Sequence, residues 1–395
     1  MSDLLAIDEA LELVLGRVRP LPAEDVPVAG AAGRVLAEDA RAQVDLPPFD
    51  SSAMDGYAVR AADTPGRLRL VGHAAAGRPF ASAVEPGTCV EISTGAVVPD
   101  GADAVVPVEQ AVVHGGEVEL GEAAAGAHVR KRGGDVRRGA VVVPAGTRLG
   151  PPQLGALAAA GAAAVRCARR PLLALVATGT ELRQPGEQLR PGEIYESNSV
   201  LISAQAASAG ARVEVLEPVA DDSARTRAVL ERALDADVVV TTGGVSVGPH
   251  DLVRATLADL GAEEVLWRVA MRPGKPVAFA VRGSTLVFGL PGNPVSALVG
   301  FELFVRPALL ALQGARDPAP PYRTGVLGAA VVCNAARESL VRARTSVADG
   351  DVVLEPLGRQ ESHMIVGAAE ADALVRVERG DGRLEAGARV RYLAL

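Results

Sequence analysis

Asp237-Val-Val-Val-Thr-Thr-Gly-Gly-Val-Ser-Val-Gly-Pro-His-Asp251 is the stretch that decides the fold. An unbroken apolar run enters Gly243-Gly244, passes Ser246 and Gly248, and meets an acid where a helix is predicted over 251–260. A strand covered on both faces reads this way, and in an open parallel sheet ligands sit beyond the carboxyl ends of the strands. Glycines let backbone N–H groups approach a phosphate, and a helix start favours negative charge. A carboxylate at Asp251 beside such a phosphate suits Mg²⁺, which bridges hard oxygens. A plainer reading also fits: the glycines make a tight turn and Asp251 caps a helix. The spacing is neither a Walker loop nor a dinucleotide fingerprint.

The same alternation extends in both directions. Runs at 172–177, 213–216 and 285–289 read as strands, and 152–160, 198–209, 221–234 and 295–312 as helices, with Asp221 or Asp222 as an N-cap. Strands alternating with helices predict a parallel three-layer α/β domain. Upstream, 49–149 carries short β-like runs with glycine punctuation, at 88–93, 104–107, 112–120 and 140–144, which predicts a β-rich module. Residues 4–18 show helical spacing of Leu4, Ile7, Leu11, Val14 and Leu15. After Pro318, Pro320 and Pro321 the tail returns to β-like runs at 352–355, 373–377 and 389–393.

Further motifs lie at strand ends or in loops. Leu290-Pro-Gly-Asn-Pro294-Val-Ser296 is a proline-stiffened strand-to-helix junction, read either as a rim of free N–H groups or as a rigid turn. Trp267-Arg268-Val-Ala-Met-Arg272-Pro-Gly-Lys275-Pro276 carries cations held by prolines; it can clamp an oxyanion or be a solvated charge run. Ala177-Thr-Gly-Thr-Glu181 ends another strand with a carboxylate suited to a metal or a hydroxyl, or to a helix start. Asp55 in 48–58, Thr94 in 93–105 and Asp135 after Gly133-Gly134 sit in loop-like settings and read locally as turn residues.

Composition narrows the function classes. A chain of 395 residues exceeds one ordinary core. A net charge of −8 and 3% aromatic residues argue against nucleic acid as the main partner. No uninterrupted apolar run reaches the roughly 18 residues of a spanning helix, so no membrane partner is expected. Met1-Ser-Asp-Leu-Leu5 lacks a basic and then apolar leader, and Cys89, Cys167 and Cys333 form neither CxxC nor zinc spacing. A reducing, cytoplasmic setting is expected. There is no GxSxG elbow, and the five histidines show no metal spacing. What remains is chemistry of phosphate, metal and cations without a covalent nucleophile.

Taken together, FDSSAMDGYAVR (49–60), STGAVVPDGADAVVPVE (93–109), GGD (133–135), ATGTEL (177–182), TTGGVSVGPHD (241–251), MRPGKP (271–276) and GLPGNPVSA (289–297) resemble the MoeA and gephyrin E-domain family, in its order and over most of the chain. The resemblance implies an α/β multidomain fold: an elongated N-terminal domain (1–45 plus 141–170), an inserted β-rich domain (46–140), a MogA-like three-layer α/β domain (171–314) and a C-terminal β-barrel (315–395). It implies a homodimer whose cleft lies between the α/β domain of one subunit and the inserted domain of the other. It implies a molybdopterin molybdotransferase, which loads molybdate onto adenylylated molybdopterin with Mg²⁺ and releases AMP, downstream of a MogA-type adenylyltransferase. The glycine loop alone equally resembles that adenylyltransferase, and gephyrin relatives also serve as scaffolds. By the same resemblance Asp55, Thr94, Asp135, Glu181 and Asp221 are catalytic-site positions. Asp251 and Glu181 contact the metal. Gly243, Gly244, Ser246 and Gly248 cradle phosphate, and Pro291, Gly292, Asn293 and Pro294 form the rim. Arg272, Lys275, Ser296, Arg342 and Ser362 form the molybdate pocket, with Arg268 adding positive field. Arg272 stands where the family commonly has Lys, and Ser362 lies in a loosely matching segment.

Overall fold

Leu172–Ala177 and Val238–Thr242 are buried on both faces, and both run through the middle of a six-stranded sheet in a computed structural model that describes residues 4–218, 222–244 and 252–395. The sheet order is Arg212–Val215, Leu172–Ala177, Val238–Thr242, Thr285–Leu290, Ala278–Arg282 and Glu263–Trp267. The first four strands are parallel, as expected. The last two are antiparallel and were not anticipated. Gly283-Ser284 joins Ala278–Arg282 to Thr285–Leu290 by so short a turn that the pair must be antiparallel. The sheet is therefore mixed, and the stretch read as a basic loop is the connection between two of its strands.

Helices cover both faces. Asn198–Ser208 and the run Pro294–Gly300, Phe301–Val305 and Arg306–Leu312 pack on one side, and Ser223–Ala233 and Leu252–Asp259 on the other. Asp222 accepts Arg225 N–H at 2.8 Å and caps Ser223–Ala233. Phe301–Val305 is a π-turn just before Pro307, which has no N–H to donate. Pro294–Leu312 has the length and mean apolarity of a membrane span, although Glu302 and Arg306 interrupt any continuous apolar run. Its most apolar window is 78% buried inside the protein, as befits a central core helix.

Three smaller bodies surround this domain. Ala23–Pro27 pairs with Ala164–Ala168, and Ala40–Arg41 with Val141–Val143, around Leu36, Leu149 and Leu157. The first helix, Ile7–Gly16, instead buries Ile7, Ala10, Leu11 and Val14 in the α/β core. Between those paired strands lies a second six-stranded sheet that includes Gly56–Val59, Gly66–Ala74 and Thr88–Ile92. The run expected over 112–120 is a hairpin there, Ala111–His114 with Glu117–Leu120, because Gly115 takes a φ of +65°.

The tail closes on itself. Glu338–Ala348, Asp351–Pro356, Arg323–Leu327, Arg389–Ala394 and Ala373–Val377 pair in that order, and Ala373–Val377 returns to Glu338–Ala348. Closure removes open strand edges. Met271–Arg272 adds a short parallel pairing to Glu338–Ser339 and ties the cationic stretch to the barrel.

Candidate active site

A cleft of about 780 Å³ opens beyond the carboxyl ends of Leu172–Ala177, Val238–Thr242 and Thr285–Leu290. That is the size and place expected of a ligand site in such a sheet. Thr178, Glu181, Glu196, Asn198, Gly243, Gly244, Pro276, Pro291, Gly292, Asn293, Pro294 and His363 are among its walls. The floor is tightly built. Thr178 N–H and Oγ1 donate to Thr242 O at 2.9 and 3.1 Å, and Gly243 N–H donates to Leu290 O at 3.1 Å. Gly243 and Gly244 have φ of +84° and +64°, and a Cβ on Gly243 would stand 2.7 Å from Thr178 O. Both backbone conformation and space thus require glycine here.

Pro276, at the end of the cationic stretch, shares this cleft with the glycine turn. Gly274 lies against the first turn of the helix after Asn293, since a Cβ there would be 3.5 Å from Ser296 O. Lys275 is half-buried and Arg272 exposed, and among the described residues neither makes an ion pair or a side-chain hydrogen bond. Arg272 faces a separate hollow of about 260 Å³ shared with Ser339 and Gln360. Ser296 is 3% exposed beneath the rim. Ser362 closes the rim from the barrel: Asn293 Nδ2 donates to its Oγ at 3.0 Å, and Val295 N–H donates to its carbonyl at 3.1 Å.

Other expected residues lie apart. Asp55 and Thr94 meet each other, Thr94 N–H donating to Asp55 Oδ1 at 2.7 Å, but neither lines this cleft within the chain. Asp135 lines a different hollow, beside Leu46 and Ala156. The turn around it is held by Asp45, which accepts Arg138 N–H and Arg132 Nε. Those contacts keep Asp45 below the usual carboxylate range, the Arg138 N–H foremost. Arg268 stacks over Trp267 at 3.8 Å from the ring centroid and is not part of the cleft wall. Arg342 is buried between the barrel wall and the loop 357–364, with its guanidinium on that loop's backbone carbonyls. Asp221, Ser246, Gly248 and Asp251 lie outside the described residues.

Glu196 and Asn198 were not anticipated. Glu196, 4% exposed, accepts Ser199 N–H at 3.0 Å. Asn198 Nδ2 donates to Gly292 O at 2.8 Å and braces the rim. Their signal was the polar cluster Glu196-Ser-Asn198-Ser opening a helix, which reads equally as a cap. Among the described residues no three His, Cys, Asp or Glu side chains gather to hold a metal.

Three family models match this chain: "MoeA N-terminal region (domain I and II)" over residues 5–161, "Probable molybdopterin binding domain" over 174–311, and "MoeA C-terminal region (domain IV)" over 324–395. The chain belongs to the MoeA family. A relative from Mycobacterium tuberculosis named molybdopterin molybdenumtransferase 2 is 37% identical over 98% of each chain. One from Bacillus subtilis, a molybdopterin molybdenumtransferase, is 34% identical over 99% of this chain and 94% of its own. A crystal structure of a molybdopterin biosynthesis MoeA protein from Pyrococcus horikoshii superposes with a TM-score of 0.82 at 32% identity, covering 99% of both chains. The MoeA fold expected from sequence, with a MogA-like α/β domain and a closed barrel, is the one observed.

Proposed function

We propose that this chain is a molybdopterin molybdenumtransferase that converts adenylylated molybdopterin and molybdate into molybdenum cofactor and AMP. The observation that carries the reading is the shared cleft, where the glycine turn at Gly243-Gly244 meets Pro276 and the Asn293–Ser362 rim. Full-length relatives with that activity in their names support it. A MogA-type adenylyltransferase is its expected supplier, and a reducing cytoplasm its setting.

The Gly244 N–H, with the close approach that two side-chain-free residues allow at Gly243-Gly244, suits the nucleotide phosphates, and the family resemblance assigns Ser246 and Gly248 to the same cradle. Lys275, with hydroxyls from Ser296 and Ser362, suits a divalent oxyanion, and Arg272, which opens on the neighbouring hollow, is assigned to the same pocket by the family resemblance. Arg268, stacked on Trp267, adds positive field from further off. Glu181 and Glu196 on the cleft wall fit the way Mg²⁺ binds, through one or two carboxylates together with substrate phosphates. When bound there, Mg²⁺ supplies neutralisation of charge on the phosphoanhydride. Glu181 and Asp251 are the residues assigned to hold it, with Asp221 nearby in role. The cleaved bond is the phosphoanhydride, and its AMP half takes the incoming oxygen from water or molybdate, so no protein nucleophile is required.

Asp55, Thr94 and Asp135 enter this reading from a second copy of the chain in a homodimer. The division 1–45 plus 141–170, 46–140, 171–314 and 315–395 remains our proposal; separate hydrophobic clusters support it, with Ile7–Gly16 docked on the α/β core.

The test is direct. Purified protein with adenylylated molybdopterin, Mg²⁺ and molybdate should release AMP in proportion to cofactor formed. Absence of AMP release, or consumption of ATP to adenylylate free molybdopterin, would overturn the assignment.

A further inference from the structure

Arg342 lies on Glu338–Ala348 and is 1% exposed. Its Nη1 donates to Met364 O at 2.7 Å; its Nη2 donates to Glu361 O at 3.3 Å and, at closer range, to Arg359 O. Its main chain is bound to the same loop. Arg342 N–H donates to Gln360 Oε1 at 3.0 Å, and Leu357 N–H donates to Arg342 O at 2.9 Å. Gln360 Nε2 donates to Arg342 O at 2.9 Å and to Leu357 O at 2.7 Å.

We propose that Arg342 is a positioning residue, which holds the loop 357–364 against the cleft and does not itself bind the oxyanion. The proposal rests on the reading of the cleft given above and departs from the role implied by family resemblance. A guanidinium binds an anion by presenting its fork of donors outward. Here both terminal nitrogens are committed to carbonyls under a closed loop. To reach an anion the side chain would have to abandon buried carbonyls that have lone pairs to satisfy. Among the described residues Arg272 and Lys275 carry no such commitments and leave the charge available.

The loop is what arrives at the site. Ser362 receives Asn293 Nδ2 on its hydroxyl and Val295 N–H on its carbonyl, and His363 and Ile365 wall the cleft. Arg342 therefore governs whether barrel and helix junction close on one another. Several carbonyls at different angles are served by a planar fork and not by the single ammonium of lysine.

The experiment uses full-length R342K, R342M and Q360A. Hydrogen exchange over 357–365, binding of molybdate alone by calorimetry, and the molybdate dependence of AMP release are compared with wild type. R342K and R342M should both speed exchange across the loop. Both should weaken molybdate binding by a similar factor, about tenfold, with kcat changed less than about twofold. Q360A, which leaves the buried charge in place, should do the same to a smaller degree. If R342K matches wild type while R342M loses molybdate, the charge acts directly and the proposal is wrong. Unchanged loop exchange in R342K and R342M would overturn it as well. If wild type releases no AMP, the proposed reaction fails, and the exchange comparison still decides what Arg342 does.

Discussion

Gly243 and Gly244 were legible as a turn at a strand end, read either as a phosphate cradle or as a plain tight turn. What the letters left open was whether the turn needs glycine. The φ of +84° and the 2.7 Å approach to Thr178 O close that question. Gly243→Ala adds about 1–2 kcal/mol of backbone strain besides the clash. A displacement of the turn by about an ångström is then expected to slow AMP release by about a hundredfold, measured in single turnover. Lys275 was equally well read by either of two accounts. Its half-buried place next to Gly274, which packs against the Ser296 turn, and the lack of an ion pair among the described residues favour the clamp. Lys275→Ala should raise half-saturating molybdate by about ten- to a hundredfold, the worth of a charge-assisted hydrogen bond, with thermal midpoint unchanged. Unaltered molybdate dependence would remove Lys275 from the pocket. Glu196 and Asn198 escaped notice because a polar helix start is an ordinary cap until the fold sets it across from Gly292.

At the scale of elements, periodicity located the buried strands and helices. It did not locate Glu263–Trp267 and Ala278–Arg282, whose short mixed runs carry no alternation strong enough to outvote the charges around them. Nor could it find the tie between the first helix and the barrel. Arg376, with 4% of its side chain exposed, donates to Asp8 at 2.7 and 2.9 Å and to Glu338 at 2.6 Å, and its partners are far away in sequence. Breaking the Arg376–Glu338 pair, buried on both sides, costs about 3–5 kcal/mol, whereas the Asp8 arm, whose carboxylate is largely exposed, contributes less. The Arg376 hydrogen bond holds Asp8 below the ordinary carboxylate range. A depressed folded value means the contribution is present at neutral pH and fades as pH falls through that value. The thermal midpoint of wild type should thus exceed that of Asp8→Asn at pH 7, and the gap should begin to narrow as pH falls below about 4. A gap that persists unchanged at pH 3 would show that the charge of Asp8 contributes nothing.

For the whole molecule, domain order and the MoeA fold followed from seven motifs in sequence. How those domains share chemistry did not, because Asp55, Thr94 and Asp135 are silent on local grounds and remain away from the cleft within one chain. A site completed by a second copy makes a specific demand. Asp55→Ala and Glu181→Ala, each inactive alone, should restore activity when unfolded and refolded together. About a quarter of wild-type sites are then whole, because a symmetric dimer of mixed variants keeps one intact cleft and random pairing makes half the dimers mixed. Mixtures as inactive as either parent would place the whole site in one chain.

Crystals soaked with AMP and molybdate, with molybdenum located by anomalous scattering, put the central claim to its most direct test. The AMP phosphate should lie on Gly243-Gly244, with molybdenum in the same cleft between Lys275, Ser296 and Ser362. Molybdenum on another face, farther from the phosphate than the substrate can span, would contradict the account.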